Sequence, residues 1–225
     1  ELDAGSSHVL AIQSDGKLYS LPFNMNTFYE LCGCTKPEEA KAIIESQRLK
    51  LDRPASNLEE QALSMIGKDL YELIVKDYTT KQWKRDPKDL PSFIIKRLPI
   101  RLTYDDNYYF DNYQGIPIGG YTKMFEKMLD GIEVKLNTNY FANRNYFDSL
   151  ANQVVYTGCI DEFFNYEFGK LDYRSLRFDH QVYDVNNYQG VAQLNYCDFE
   201  NEYTRTIEHK HFEKNTLDDK IIRYV

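Results

Sequence analysis

The chain has 225 residues and a formal net charge of -8 at pH 7, with 42% hydrophobic and 28% charged residues. This balance is typical of a folded globular protein and excludes intrinsic disorder. The net negative charge argues against general binding to DNA, RNA or an anionic membrane, because such binding needs a basic surface. The sequence has no apolar run of about 18 residues and no signal-peptide pattern, so we predict a cytoplasmic protein.

The aromatic, cysteine and histidine residues indicate which kinds of ligand-binding or metal site the chain could contain. There are 19 Tyr and 13 Phe but one Trp; tyrosines suit a pocket that stacks on a sugar or base, although composition alone favours a Tyr-rich core. Cys32 and Cys34 form a Cys-Gly-Cys without a second pair, and His209 and His211 have no third ligand at zinc spacing. We therefore predict reduced thiols and no metal site.

The first hundred residues begin with a hairpin pattern and continue with helical periodicity. Residues 9–12 and 17–20 flank Ser14-Asp15-Gly16, and Asp-Gly is a favoured hairpin turn. The segment 35–38 is a capping box that predicts a helix, and a further helix runs from Asn57 to Ile74 on one apolar face. We place 78–83 in a loop after that helix, and we predict a last short helix at 92–97.

After Pro99 the pattern changes to short β-rich runs separated by Asn, Asp and Gly. A helix at about 121–128 interrupts them. We therefore predict an α+β fold in which a helical bundle packs beside a mainly antiparallel sheet. The predicted strands are 108–110, 134–136, 153–156, 181–183, 191–196, 203–209 and 221–225.

Three segments carry candidate chemistry. Residues 78–83 (YTTKQW) combine a Tyr, a Lys and the single Trp, a set that could stack on a base or a sugar. Arg97 could bind a pyrophosphate through paired hydrogen bonds, but the residues alone favour the simpler interpretation, a favourable cation at a helix C-terminus. Asp105 and Asp106 are neighbours on a predicted strand and point to opposite faces, so we do not expect them to act as a carboxylate pair.

Seven short segments follow one another in a characteristic order: SLPFN at 20–24, YTxKQW at 78–83, KRLPxR at 96–101, YDDNY at 104–108, QGxPxxGYT at 114–122, NY at 195–196 and YTR at 203–205. In order and approximate spacing they resemble the bacterial UDP-galactopyranose mutases. The resemblance spans nearly the whole chain and includes Tyr156-Thr157-Gly158.

The resemblance implies three parts. Residues 1–22 would be a hairpin remnant of a Rossmann-like FAD domain, 23–100 a helical substrate-binding domain with a mobile loop, and 101–225 an antiparallel sheet domain. The family's Gly-rich flavin-phosphate loop should precede Val9, where nothing matches it, and further family sequence should follow Val225. We therefore expect a central fragment that keeps much of the nucleotide-sugar face and binds FAD weakly or not at all.

The resemblance also implies roles for particular residues. Arg97 and Arg205 would stabilise charge on the diphosphate and act as catalytic as well as substrate-binding residues, and Tyr78 would stack on the uracil. The other implied positions are Asn24, Thr79, Trp83, Tyr108 and Asn195 for the substrate and Gly158 for the cofactor.

The implied activity is the interconversion of UDP-galactopyranose and UDP-galactofuranose, in which N5 of reduced FAD attacks the anomeric carbon. The implied partners are UDP-galactose and UDP, with a possible homodimer. Asn26 stands where the family often has His, and Ile74 and Val75 stand where it often has two Phe, so the packing around the uridine could differ. The alternatives are a non-catalytic UDP-sugar binding module and a carbohydrate-binding module that does not recognise the nucleotide.

Overall fold

A computed structural model describes residues 2–3, 9–12, 16–109, 111–212 and 220–224. It divides into two compact units, unit 1 with residues 1–118 and 176–225 and unit 2 with residues 119–175. The α-helices are α1 (Met25–Cys32), α2 (Pro37–Gln47), α3 (Leu58–Ile66), α4 (Lys68–Leu70), α5 (Lys76–Trp83), α6 (Gly120–Met128), α7 (Arg144–Ser149) and α8 (Ile160–Phe163). The strands are β1 (Leu2–Asp3), β2 (Val9–Ile12), β3 (Leu18–Leu21), β4 (Ile116–Pro117), β5 (Phe178–Val182), β6 (Gln193–Tyr196), β7 (Arg205–Glu208) and β8 (Lys220–Tyr224).

Unit 1 contains a six-stranded sheet in the order β3-β2-β6-β7-β8-β5. β2 and β3 form the predicted hairpin, whose turn residues Ser14 and Asp15 lie outside the described residues. β2 pairs with β6 in parallel, and the other pairings in this sheet are antiparallel. The prediction of a mainly antiparallel sheet is therefore confirmed, and the N-terminal hairpin belongs to the same sheet as the later strands. β1 pairs separately with β4.

The helices of unit 1 pack around a continuous hydrophobic core. Apolar side chains recur on one face of α3, where Leu58, Ala62 and Ile66 are buried, because positions three or four residues apart share a helix face. Phe23 and Phe28 are also buried in this core. The helices between residues 23 and 100 thus share one core, which also contains Leu21 of β3 and Cys197.

Polar side chains cap the first turns of α1 and α2. The Asn24 side chain caps α1 by accepting hydrogen bonds from the backbone N–H groups of Asn26 and Thr27. At α2 the carboxylate of Glu39, one residue beyond the predicted box, accepts from the backbone N–H groups of Thr35 and Lys36. The Glu39 position follows from Pro37 being the first helical residue, so that the third helical position is 39.

The single helix predicted from Asn57 to Ile74 is wrong, because the chain breaks it at Gly67. Gly67 has φ 78° and ψ 178°, a conformation outside the right-handed helical region and open mainly to glycine. α4 then begins at Lys68 and continues through a π-helical segment (Tyr71–Val75) into α5. Within the π-helical segment, Tyr71, Ile74 and Val75 are buried in the core.

Four other secondary-structure predictions need correction. No strand forms at 134–136, at 153–156 or at the described residues 108–109, because a strand needs a hydrogen-bonded neighbour and none lies beside these runs. Residues 92–97 form only a short 3₁₀ helix (Ser92–Ile94) followed by turns. The helix predicted at 121–128 is confirmed as α6.

Unit 2 is held together by aromatic contacts. The rings of Tyr140, Phe141, Tyr156 and Phe163 lie 5.1–6.5 Å apart, and the Arg144 guanidinium lies 4.5 Å from the Phe163 ring centroid. Such ring pairs and cation–π contacts stabilise a small cluster. All of residues 119–175 are described, and none of them is fully buried.

The α+β class is confirmed at this level, since helices and a mixed sheet occupy separate stretches of the chain. The Rossmann-like remnant and the division at residues 22 and 100 stay predictions. Within the part of the chain that the structure describes, no helix is both long enough and apolar enough to cross a bilayer.

Candidate functional site

Tyr78 and Arg205 meet across 127 residues of sequence. Tyr78 lies on α5 and Arg205 begins β7, and Nη2 of Arg205 donates a hydrogen bond of 2.8 Å to the Tyr78 hydroxyl. Both side chains are partly exposed. Burial raises the pKa of Tyr78, whereas the Arg205 guanidinium lowers it to a smaller extent.

Another predicted substrate residue lies beside this contact. Asn195 on β6 is the cross-strand partner of Arg205, and directly opposite residues of an antiparallel pair project to the same face. We call Tyr78, Asn195 and Arg205 the Tyr78 cluster. Tyr108, the remaining predicted substrate residue in this region, has its backbone oxygen held by the Arg101 guanidinium.

Lys81 lies one turn after Tyr78 on α5, and its side chain makes four hydrogen bonds to the main chain near this cluster. It is 6% exposed, and burial lowers its pKa. Its Nζ atom donates to four main-chain oxygens, which we call the carbonyl cage: those of Tyr196 (2.7 Å), Asp198 (2.7 Å), Asn201 (3.1 Å) and Tyr203 (2.9 Å).

The remaining residues of the YTTKQW segment do not form the predicted loop. Residues 78–83 lie within α5, and successive helical residues rotate by about 100°, so Tyr78 and Trp83 differ by about 140° around the axis. Trp83 packs at the edge of the core, and Thr79 is buried. The prediction that a Tyr and a Trp share one loop is therefore wrong. The helix α5 continues to Trp83, which packs against the core.

Asn24 has a structural role that uses its whole side chain. Its oxygen caps α1, and its Nδ2 donates to the Asp106 carboxylate (2.6 Å) and to the main-chain oxygen of Asp105 (3.2 Å). Asn26 donates to the same Asp106 carboxylate at 2.9 Å. Asn26 thus supports the 105–106 loop at the position where the family often has His.

Arg101, a second buried cation, supports the loop at residues 105–108. The Arg101 guanidinium is buried, donates to the main-chain oxygen of Tyr108 (3.1 Å), and lies 3.5 Å from the Asp105 carboxylate. These contacts fix the 105–108 loop and replace the predicted strand. The burial of Arg101 was not predicted, because these contacts depend on the irregular conformation of residues 105–108, which periodicity does not indicate.

Arg97 lies apart from these networks. It is exposed in a turn after the 3₁₀ helix Ser92–Ile94, and within the described residues it makes no hydrogen bond or ion pair. Its predicted contact with a diphosphate stays a prediction. A substitution of Arg97 would therefore remove no hydrogen bond or ion pair within the described residues.

Gly158, the predicted cofactor position, belongs to unit 2. A Cβ atom at this glycine would collide with the ring and hydroxyl of Tyr156. The close approach is therefore to the protein's own side chain, and it does not form an open cradle for a flavin phosphate. Among the described residues, no group of three or more His, Cys, Asp or Glu is arranged to hold a metal ion.

Comparison with known proteins gives a consistent set of relatives. The family model described as "GLF: UDP-galactopyranose mutase" matches residues 73–224. The dTDP-fucopyranose mutase of Escherichia coli is 38% identical over 209 residues, which are 90% of this chain and 55% of that protein. The probable UDP-galactopyranose mutase of Klebsiella pneumoniae is 41% identical over 201 residues, 88% of this chain and 51% of that protein.

A more distant relative is the UDP-galactopyranose mutase of Mycoplasma pneumoniae, which is 29% identical over 227 residues, 94% of this chain and 56% of that protein. The chain thus spans about half the length of the curated relatives it matches. The family match covers α5, β6, β7 and the loop 197–204, which together carry the Tyr78–Arg205 contact and the carbonyl cage.

Proposed function

The chain belongs to the UDP-galactopyranose mutase family, and from this membership we propose that it binds UDP-galactose and takes part in interconverting its pyranose and furanose forms. The observation that carries the proposal is the Tyr78–Arg205 contact, which joins two predicted substrate residues from distant segments. Asn195 lies opposite Arg205 and extends the same face.

The chemistry of the Tyr78 cluster suits a nucleoside diphosphate sugar. A guanidinium presents its N–H donors in a planar fork that matches phosphate oxygens, and a tyrosine ring offers a flat face for a base. Negative charge develops on the diphosphate as the bond to the anomeric carbon breaks. Arg205 would stabilise that charge from beside Tyr78, and the proposal assigns Arg97, which is exposed in the turn at 95–97, as a second cation for the diphosphate.

The described residues give less support for binding the flavin than for binding the nucleotide sugar. Family resemblance implies reduced FAD, which would supply the nucleophile for the anomeric carbon. Gly158, the residue predicted to contact the cofactor, packs on Tyr156 and forms no open phosphate cradle. We therefore assign no step of the flavin chemistry to these residues, and the flavin absorbance of the purified chain measures whether it binds FAD.

A second candidate substrate is a dTDP-fucose. It is favoured by the 38% identity with the E. coli dTDP-fucopyranose mutase, which is close to the 41% identity with the Klebsiella protein. Thymine carries a 5-methyl group that uracil lacks, and the deoxyribose lacks the 2′-hydroxyl. A site that hydrogen-bonds the 2′-hydroxyl would reject dTDP strongly, because its own polar groups would be left unpaired.

Calorimetric titration with UDP and dTDP tests this proposal. We expect UDP to bind, and we expect Arg97→Ala to weaken binding by about 1.5–3 kcal/mol, the usual scale for a hydrogen bond to a charged group. The matched control is Lys96→Ala, which removes a neighbouring exposed cation and should leave the affinity nearly unchanged.

The outcomes separate the alternatives. Tighter binding of dTDP than UDP would favour the fucose nucleotide as substrate. Equal effects of Arg97→Ala and Lys96→Ala would mean that Arg97 acts only as surface charge. If the wild-type chain bound neither nucleotide, the nucleotide-sugar proposal would be wrong for this chain, whatever its ancestry.

A further inference from the structure

Lys81 makes an unusual set of contacts for a lysine. An ammonium group has three N–H donors, and here four main-chain oxygens converge on it within 3.1 Å. All four belong to the segment from the end of β6 to the residue before Thr204. The side chain therefore holds one continuous loop against α5.

The loop has its own internal bonds, which Lys81 completes. The backbone N–H of Tyr196 donates to the oxygen of Thr204 (3.0 Å), and this bond closes the neck of the loop. The Asp198 carboxylate accepts from the backbone N–H of Asn201 (3.0 Å). In addition to these bonds, the Lys81 ammonium supplies side-chain donors to four carbonyl oxygens of the segment 196–203.

The position of this loop matters for the Tyr78 cluster. Lys81 follows Tyr78 by three residues, so the two side chains lie on the same side of α5. The last carbonyl of the cage belongs to Tyr203, two residues before Arg205. One helix face thus holds both the loop leading to Arg205 and the hydroxyl that Arg205 contacts.

We propose that Lys81 is a positioning residue for the nucleotide-sugar site: its ammonium fixes the 197–204 loop on α5 and thereby holds Arg205 against Tyr78. The consequence for binding rests on the proposed function, whereas the consequence for the loop does not. Burying an ammonium is costly unless it is hydrogen-bonded, and the four carbonyl oxygens offset that cost.

The test uses Lys81→Met, which keeps the length of the side chain and removes its donors. The matched control is Lys84→Met, an exposed lysine at the C-terminal end of the same helix. We expect hydrogen–deuterium exchange to become faster in 197–206 for Lys81→Met alone. Lys81→Arg provides a second variant if Lys81→Met does not fold, because a planar guanidinium keeps the charge but cannot direct its donors to all four oxygens.

A double-mutant cycle on UDP affinity separates positioning from general stabilisation. We expect Lys81→Met to weaken UDP binding at least about tenfold, and Tyr78→Phe to add little once Lys81 is changed, because coupled residues are non-additive. Additive effects of the two changes, or wild-type UDP affinity in folded Lys81→Met, would overturn the proposal.

The exchange measurement keeps this inference distinct from the proposed function. If the wild-type chain did not bind UDP, the proposed function would fail, and the exchange data would still decide on Lys81. Faster exchange confined to 197–206 supports the positioning role. Unchanged exchange there, or an equal increase throughout unit 1, would overturn it.

Discussion

Glu208 on β7 is a buried carboxylate that holds a loop to the sheet. It is 1% exposed, accepts from the backbone N–H groups of Tyr188 (3.2 Å) and Gln189 (2.9 Å), and lies 2.9 Å from the Lys210 ammonium. The His211 ring lies 3.4 Å from its other oxygen. Burial raises the pKa of Glu208, but the hydrogen bonds and the Lys210 charge outweigh it, so the pKa is lowered.

We expect Glu208→Gln to lower the free energy of unfolding at pH 7 by about 1.5–3 kcal/mol, because charge-assisted bonds are lost and the amide cannot accept at both positions. The folded-state pKa lies below the unfolded value of 4.5. The contribution is therefore complete above about pH 4.5 and disappears as the pH falls through the folded-state pKa. Urea denaturation of both proteins between pH 3 and 7 measures this contribution.

The control for this experiment is Glu202→Gln. Glu202 is exposed, and its carboxylate lies 3.5 Å from the Arg177 guanidinium, a surface pair of the kind that contributes about 0–1 kcal/mol. A difference between wild type and Glu208→Gln that did not shrink at low pH would show that the carboxylate charge is not what stabilises the loop.

At the scale of elements, Gly67 determines how α3 joins α4. Its backbone lies in a region that other residues rarely adopt, and a Cβ there would lie 3.0 Å from Cβ of Gln47 on α2. The break turns the chain so that the π-helical segment and α5 continue in a new register. Tyr78 and Lys81 therefore depend on this break for the direction in which α5 presents them.

We expect Gly67→Ala to lower the melting temperature more than Gly33→Ala. Both glycines have positive φ, but Gly33 lies in the left-handed helical region with no atom near its missing Cβ. Gly67 adds a strained ψ and a close neighbour, so its cost should be about 1–3 kcal/mol. Thermal unfolding followed by circular dichroism gives both values, and equal losses would contradict the argument from local strain.

At the scale of the whole molecule, the two units differ in how they are stabilised. Unit 1 buries large apolar side chains such as Phe23, Phe28 and Leu58, each of which contributes about 1.5–3 kcal/mol when fully removed from water. Unit 2 relies on the partly exposed aromatic cluster around Tyr140 and Phe163. Its backbone is therefore closer to solvent than that of the helical core.

We expect native-state hydrogen exchange to reflect this difference within each unit. Amides of α3 and of the π-helical segment should be strongly protected, because they open only when the core of unit 1 opens. Amides of α6 and α7 should exchange faster, since no residue of unit 2 is fully buried. Protection of α6 equal to that of α3 would show that the exposed cluster is more stable than its burial indicates.

The sequence by itself determined the elements whose signals are local. Apolar residues spaced three and four apart predicted α3, and Asn57 marked its start. The Asp-Gly pair predicted the β2–β3 hairpin. Each of these signals depends on residues a few positions apart. The ordered motifs also identified the family that the comparison then confirmed. Alternating runs predicted β6 and β7 for the same reason.

Only the tertiary structure decided which of these residues meet. The Tyr78–Arg205 contact and the carbonyl cage around Lys81 each join segments more than a hundred residues apart in sequence. The position of Asn195 opposite Arg205 depends on the register between β6 and β7. Propensity and periodicity do not report on such contacts. The run at 153–156 shows the converse, since β propensity forms no strand where packing supplies no neighbouring strand.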